Sequence, residues 1–272
     1  MSSSAMWVNG ELIDASEPIA LATDHGFQLG DGIFDTLAIR DSRPVFLDRH
    51  LQRLRRGLQQ LEIIDAPSDI ELREAIEQLI EVGGLTTARL RITVTPGPGP
   101  SPRTRGPAPL TVITTGRLHD SPSSVSLCSV DWTRNERSPL CGIKSTSWGE
   151  NAAILRFAHS RGFDNALLRD SVGRLSECAT SNLFAVIEDR VLTPPLDTGC
   201  LPGVTREVLL DHDAAIEEVL LPEDLIAASE VFITSSTTGV VPVHRIDERT
   251  YRTDGPTTST VRELLNELSR IE

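Results

Sequence analysis

Cys141-Gly142-Ile143-Lys144-Ser145-Thr146-Ser147 lies near the middle of this 272-residue chain and contains the residue around which the fold is organised. The chain has 26 lysines and arginines, nearly all of them arginines, so Lys144 stands out. A lysine that follows a short apolar run and precedes a Thr/Ser cluster can direct its amine into a closed site. Desolvation there lowers its pKa and makes it a nucleophile able to form a Schiff base. The alternative interpretation is a surface lysine at a strand end.

Three further motifs follow Lys144. They are residues 175–184 (LSECATSNLF), residues 201–206 (LPGVTR) and residues 234–243 (TSSTTGVVPV). With Lys144, they resemble in order and approximate spacing the motifs of the fold type IV pyridoxal-phosphate enzymes, the class IV aminotransferase family. That family includes D-amino-acid aminotransferases, branched-chain aminotransferases and 4-amino-4-deoxychorismate lyases. The resemblance covers nearly the whole chain, from Asn9-Gly10 to about Val243.

The resemblance implies an α+β protein with two domains and pyridoxal 5'-phosphate between them. We expect a small N-terminal α/β domain over residues 1–118 and a larger C-terminal, cofactor-binding domain over residues 125–272. Residues 119–124 have the composition of a linker. The family resemblance also implies a homodimer.

Composition narrows the class of protein. A formal net charge of -13 argues against a nucleic-acid partner or an anionic membrane surface, because both are bound through clustered Lys and Arg. The four cysteines lack the close paired spacing of a metal or redox site, so reduced thiols are expected. Residues 1–6 resemble no signal peptide, and no apolar run approaches the roughly 18 residues of a membrane span. We therefore expect a cytoplasmic protein.

The first half of the chain contains a hairpin signal and a basic helix. Asn9-Gly10 between apolar flanks predicts a β-hairpin. Helical spacing of leucines begins after Asp48, a plausible N-cap. Within this helix His50-Leu51-Gln52-Arg53-Leu54 resembles the family's His-x-x-Arg-Leu segment, whose arginine binds the cofactor phosphate. We assign that role to Arg53 and to none of its neighbours.

Residues that contact substrate are expected on strands beside the cofactor. In the family, a segment like Gly30-Asp31-Gly32-Ile33-Phe34 precedes a strand that lines the substrate pocket. Phe34, and Trp148 shortly after Lys144, are therefore candidates for contact with the substrate. Residues 88–95 alternate like a strand, which places Arg89 and Arg91 on one face. Arg91 is the candidate for holding a substrate carboxylate, although an exposed strand face explains the pattern equally well.

Residues 96–109 hold six prolines and three glycines, so no compact element is expected there. In D-amino-acid aminotransferases a loop at this point brings an arginine to the neighbouring subunit's substrate site. Arg103 or Arg105 could do so here. A disordered basic loop is the alternative.

The remaining cofactor contacts are expected in the second half. The resemblance assigns Glu177, expected in a turn, to the pyridine nitrogen, where a carboxylate keeps the ring protonated. A helix starting at Arg206 would present backbone N–H groups to a phosphate. The matching family segments assign phosphate contacts to Val204, Thr205, Ser236 and Thr237.

These motifs predict a transaminase that moves an amino group between an amino acid and a 2-oxo acid through a Lys144 Schiff base, with D-amino acids favoured. The first alternative is a 4-amino-4-deoxychorismate lyase. Trp148 counts against it, because one branch of those enzymes carries arginine there. A branched-chain L-amino-acid or primary-amine transaminase is the second alternative, and a non-catalytic homodimer is the remote one.

Overall fold

A computed structural model describes residues 5–106 and 108–271, which divide into two compact units. The first unit contains the described residues up to His119 together with Ile143–Trp148. The second contains Asp120–Gly142 and Gly149–Ile271. Lys144 therefore packs with the N-terminal part of the chain, although it follows the linker predicted at residues 119–124. That linker stays a prediction.

The first unit is built on one antiparallel sheet. Its strands are β1 (Ala5–Val8), β2 (Glu11–Asp14), β3 (Ile33–Arg40), β4 (Arg43–Pro44), β5 (Ala88–Thr95) and β6 (Leu110–Gly116), and its helices are α1 (His25–Leu29), α2 (Leu47–Gln60) and α3 (Asp69–Gly83). The strand order is β2-β1-β6-β5-β3-β4. The predicted hairpin is confirmed: Asn9 and Gly10 both have positive φ, the conformation of a tight hairpin turn.

Alternation along β3 and β5 separates two faces of this sheet. Leu37 and Leu90, which are paired across the two strands, are buried in one cluster with the apolar side chains of α2 and α3. Arg91 pairs with Thr36 and lies on the opposite, more open face. The sheet therefore offers one face to the core and leaves the other for polar side chains.

The start of α2 corrects one sequence prediction. Asp48 is not the N-cap. Phe46 occupies that position in a left-handed conformation (φ 54°), and no side chain caps the helix. Asp48 lies in the first turn instead, where it pairs with Arg73 of α3. The reason is that the chain turns sharply after β4, so the helix begins two residues earlier than an N-cap at Asp48 would give.

The second unit contains a closed sheet. Its strands are β7 (Val125–Thr133), β8 (Asn165–Arg169), β9 (Leu175–Cys178), β10 (Asn182–Ile187), β11 (Arg190–Thr193), β12 (Ile216–Glu217), β13 (Glu230–Ser235), β14 (Gly239–Ile246) and β15 (Arg249–Thr250), and its helices are α4 (Gly149–Ser160), α5 (Val204–Asp211) and α6 (Pro256–Leu268). Six strands form a ring in the order β10-β13-β14-β7-β8-β9, because β9 also pairs with β10. Phe184 and Phe232 stack at 4.9 Å on neighbouring strands of the ring.

All four cysteines are free, as the sequence predicts. Among residues 5–106 and 108–271, no helix has the length and apolar character needed to cross a membrane.

Candidate active site

Lys144 is fixed against the end of β3 by its backbone. The N–H of Phe34 donates to the Lys144 carbonyl over 2.8 Å, and Ser145 forms an antiparallel bridge with Ile33. Lys144 is also the only lysine of the chain. These two contacts fix the point at which the Lys144 side chain leaves the backbone.

Two aromatic rings flank the Lys144 amine. Nζ lies 4.8 Å from the ring centroid of Phe34 and 4.8 Å from that of Trp148, and the two rings meet edge to face at 5.2 Å. The lysine is half-buried. Rings on two sides attract a cation and exclude water from it. The structure thus brings together three of the predicted site residues.

Arg91 joins the same group. Its guanidinium carbon lies 3.7 Å from the Phe34 ring centroid, and its Nε donates to Thr93 Oγ1 over 3.1 Å. Desolvation, together with the charge of Arg89, lowers the pKa of Arg91. The charge of Asp35 opposes this shift, but no carboxylate of the described residues lies within ion-pair distance of Arg91. A half-buried cation without an acidic partner is suited to an anionic ligand.

Arg53 lies on the other face of the sheet, where α2 covers β3. Its Nε and Nη2 donate to the two oxygens of Asp35 over 2.9 and 2.7 Å, and His50 Nδ1 lies 2.7 Å from Asp35 Oδ1. All three side chains are buried. Burial alone would raise the pKa of Asp35, but the charge of Arg53, together with His50, lowers it well below its usual value.

His50 completes this cluster as a neutral ring. Burial lowers the pKa of His50, and the charges of Arg53 and Lys144 act in the same direction against the opposing effect of Asp35. Nδ1 therefore carries the proton donated to Asp35. Nε2 is buried and has no hydrogen-bond partner among the described residues. Sequence reasoning missed Asp35, although a lone carboxylate on the apolar face of β3 was a usable signal.

The loop of residues 96–109 has no helix or strand in its described part, as expected, yet it is anchored. Arg105 donates to the Asp31 carboxylate through Nε (3.1 Å) and Nη2 (2.9 Å), and its Nη1 donates to the carbonyls of Leu61 (2.6 Å) and Glu62 (2.9 Å). Arg103 is exposed. Arg103 and Arg105 were the two candidates for the neighbouring subunit's substrate site. Arg105 is bound within its own unit.

In the second unit, Glu177 lies on β9, not in the predicted turn, because it pairs with Asn182 of β10. It is 7% exposed. One carboxylate oxygen accepts the N–H of Leu201 over 3.1 Å. The other lies 3.0 Å from Arg134 Nε, an ion-pair contact whose angle does not make a hydrogen bond. Arg134 was not anticipated, since only the folded chain brings it to Glu177.

The first predicted phosphate segment begins α5. The helix starts at Val204, two residues before the predicted start, and its N-cap Gly203 leaves the first turn without a side-chain acceptor. A Cβ at Gly203 would lie 1.9 Å from Asn182 Oδ1, so this close approach requires glycine. Val204 and Thr205 are buried. An uncapped helix start offers backbone N–H groups to an anion.

The second predicted phosphate segment is the turn between β13 and β14. Ser235 Oγ accepts the N–H of Thr238 over 3.2 Å and lies 2.7 Å from the Thr238 hydroxyl, which closes the turn. Ser236 and Thr237 are half-buried within it. Because α5 packs against β13, both phosphate segments belong to neighbouring elements of the second unit. No described contact joins Thr205 to Ser236 or Thr237.

Comparisons with known proteins agree on one family. The model of amino-transferase class IV matches residues 32–246. The chain is 30% identical to the D-alanine aminotransferase of Bacillus licheniformis over 91% of this chain and 90% of that protein. It is 26% identical to the aminodeoxychorismate lyase of Bacillus subtilis over 90% and 88% of the two chains. The branched-chain amino acid aminotransferase from Escherichia coli shares the fold with a TM-score of 0.91 at 23% identity, covering 98% of this chain and 94% of that one.

Proposed function

Because the chain belongs to the class IV aminotransferase family, whose members use pyridoxal phosphate, we propose that it is a transaminase acting on D-amino acids. One observation carries the proposal: the only lysine of the chain lies close to both Phe34 and Trp148, and Arg91 lies against the Phe34 ring. An amine and an anion-binding group side by side suit an amino acid substrate. The 30% identity to a D-alanine aminotransferase supports the D stereochemistry.

The donor and acceptor groups present fit the cofactor chemically. Bound pyridoxal phosphate supplies an aldehyde for amine exchange and a ring that accepts electrons from the substrate. Lys144 is the residue to bind that aldehyde. Glu177, a buried carboxylate, would accept a hydrogen bond from the protonated ring nitrogen. Phosphate donors would be the Arg53 guanidinium, the N–H groups of Val204 and Thr205, and the hydroxyls and amides of Ser236 and Thr237.

Lys144 also supplies the general base. When the amino acid has displaced its amine from the bound cofactor, Lys144 Nζ would take the proton from the substrate α-carbon and deliver it to the cofactor carbon that carried the aldehyde, and in the reverse half-reaction it would move a proton the opposite way. Phe34 and Trp148 would exclude water from this transfer. Arg91 would orient the substrate by its carboxylate, which holds the α-carbon proton towards Lys144.

The loop of residues 96–109 supplies a second cation that could bind the substrate. Arg105 is held by Asp31 and by two carbonyls, whereas Arg103 is exposed, so we assign the substrate role to Arg103. We further propose a homodimer in which Arg103 serves the neighbouring subunit. Four free cysteines suit a reducing, cytoplasmic compartment.

Half-reactions test the proposal. The visible spectrum of the purified chain with added pyridoxal phosphate is recorded before and after D-alanine, D-glutamate, L-leucine or L-glutamate, each added separately. We expect D-alanine or D-glutamate to convert the cofactor to its amine form, and pyruvate or 2-oxoglutarate to restore it. K144A is the control and should show no conversion.

Other outcomes overturn the assignment in different ways. Conversion by the L-amino acids alone would contradict the D stereochemistry. No conversion by any of the four, with release of pyruvate from aminodeoxychorismate, would establish a lyase. Absence of cofactor binding would leave the non-catalytic homodimer.

A further inference from the structure

We infer that Arg134 is a positioning residue that orients Glu177 and keeps it ionised for the pyridine nitrogen of the cofactor. The inference rests on the proposed function, because it assigns a role towards the same cofactor. Arg134 and Glu177 both belong to the second unit.

Both oxygens of Glu177 are engaged within the protein. One lies 3.0 Å from Arg134 Nε, and the other accepts the N–H of Leu201 over 3.1 Å. Two contacts on different oxygens fix the plane of a carboxylate, whereas one would leave it free to rotate. The lone pairs that remain are therefore presented in a defined direction.

The cysteines near Glu177 do not balance its negative charge. Its neighbours in space include the thiols of Cys178 and Cys200, and desolvation, followed by the charge of Glu177, raises the pKa of both thiols. A thiol is either neutral or negatively charged, so neither cysteine can balance the charge of Glu177. A carboxylate buried among neutral groups tends to take up a proton. Arg134 opposes this, because a nearby cation favours the ionised form.

Arg134 is itself held in place. Arg134 directly follows β7, and its backbone N–H donates to the Arg169 carbonyl over 2.7 Å. Gly199, with φ 82°, packs on its stem: a Cβ there would lie 3.1 Å from Arg134 Cγ and 2.9 Å from Glu136 Cα. Arg134 Nε and Nη2 are buried and donate no hydrogen bond to any described residue. The packing of Gly199 therefore places the Arg134 guanidinium, and its attraction to the Glu177 carboxylate orients it.

An ionised Glu177 is what the cofactor requires. A carboxylate accepts a hydrogen bond from a protonated ring nitrogen, whereas a protonated carboxyl presents a donor in its place. Loss of Arg134 would therefore weaken the contact of Glu177 with the cofactor, without removing any group that touches the cofactor directly. This distinguishes Arg134 from Glu177 experimentally.

A double-mutant cycle with R134Q and E177Q tests the inference, with the dissociation constant of pyridoxal phosphate as the readout. It is measured by absorbance titration of the four purified chains. In the Glu177 background we expect R134Q to weaken binding by about tenfold or more, because Glu177 loses the cation that orients it. In the E177Q background R134Q should change binding less than about twofold, because the negative charge with which Arg134 pairs has been removed. R134K, which retains the charge, should recover part of the loss.

Equal losses in both backgrounds would overturn the inference, since they would show a general structural role. Unchanged binding by R134Q would overturn it as well, provided that the wild-type chain binds the cofactor. Failure of the wild-type chain to bind would instead contradict the proposed function. If R134Q does not fold, as judged by circular dichroism, R134K in the two backgrounds gives the same comparison.

Discussion

At the scale of single residues, the Asp35, His50 and Arg53 cluster is the most consequential feature of the first unit. It places an ion pair and a neutral imidazole under α2, within a cluster of leucines and isoleucines. Such a pair is costly to break, because the remaining partner is left charged and buried. The cluster therefore couples the position of Arg53 to the stability of the fold.

We expect D35N to lower the free energy of unfolding by about 3–5 kcal/mol, because it leaves the buried Arg53 without its carboxylate. The measurement is urea unfolding of the cofactor-free chain. D48N is the matched control: Asp48 pairs with Arg73 but is exposed, so we expect a loss below about 1 kcal/mol. Similar losses in the two variants would contradict the role given to the cluster.

His50 predicts a pH dependence. Its pKa in the folded chain is lowered from 6.5, so the unfolded chain takes up the proton first as pH falls. The stability that His50 contributes to the folded chain is therefore present above pH 6.5 and is lost progressively as the pH falls below that value. Between about pH 7 and 5, we expect the free energy of unfolding to fall more steeply for wild type than for H50Q, by up to about 1.4 kcal/mol per pH unit. Parallel curves would show that His50 titrates alike in both states.

At the scale of elements, α6 depends on a residue distant in sequence. Its N-cap Gly255 has no side chain, and the Glu230 carboxylate of β13 instead accepts the N–H groups of Thr257 (3.2 Å) and Thr258 (2.7 Å). A Cβ on Gly255 would lie 2.0 Å from that carboxylate, so glycine at this position is required for the contact.

E230Q should lower the free energy of unfolding by about 1–2 kcal/mol, because an amide nitrogen would replace one acceptor and the charge at the helix start would be lost. Chemical denaturation measures the change. E263Q removes the same charge from an exposed position of α6 and should be nearly neutral. An E263Q loss as large as that of E230Q would refute the capping role.

The loop of residues 96–109 predicts a division of labour between its two arginines. R105A removes bonds to Asp31 and to two carbonyls, so we expect it to lower the free energy of unfolding by about 1–2 kcal/mol. R103A should leave stability unchanged and raise KM for the amino donor. Unfolding curves and initial rates of the two variants check this, and a stability loss confined to R103A would reverse the assignment.

At the scale of the whole molecule, cofactor binding should be visible as stability. A ligand that binds only the folded chain stabilises it by about 2.7 kcal/mol at 100 times its Kd. Pyridoxal phosphate should raise the midpoint of thermal unfolding, and pyridoxal at the same concentration should raise it less, because it lacks the phosphate. Equal midpoints with both compounds would argue against the assigned phosphate contacts.

Local signals predicted much of this molecule. The Asn9-Gly10 turn and the alternation of residues 88–95 depend on neighbouring positions, and both have the expected structure. The motif residues around Lys144 were likewise recognisable, because each lies within a short segment.

What the sequence did not reveal depends on distant pairing. Arg134 meets Glu177, and Glu230 caps α6, only after the second sheet has formed. The sequence places Glu177 in a turn, because residues 175–178 form a strand only when they pair with β8 and β10. Such contacts leave no local periodicity. Only Asp35 had a local signal that could have been used.

The most direct test of the central claim is to identify the residue that binds the cofactor. The chain is incubated with pyridoxal phosphate, reduced with borohydride, digested with trypsin and analysed by mass spectrometry. Because Lys144 is the only lysine, we predict a single modified peptide, residues 138–156, with the cofactor on Lys144 and cleavage blocked there. Cleavage at Lys144 with no modified 138–156 peptide, or cofactor fixed only elsewhere, would contradict the account.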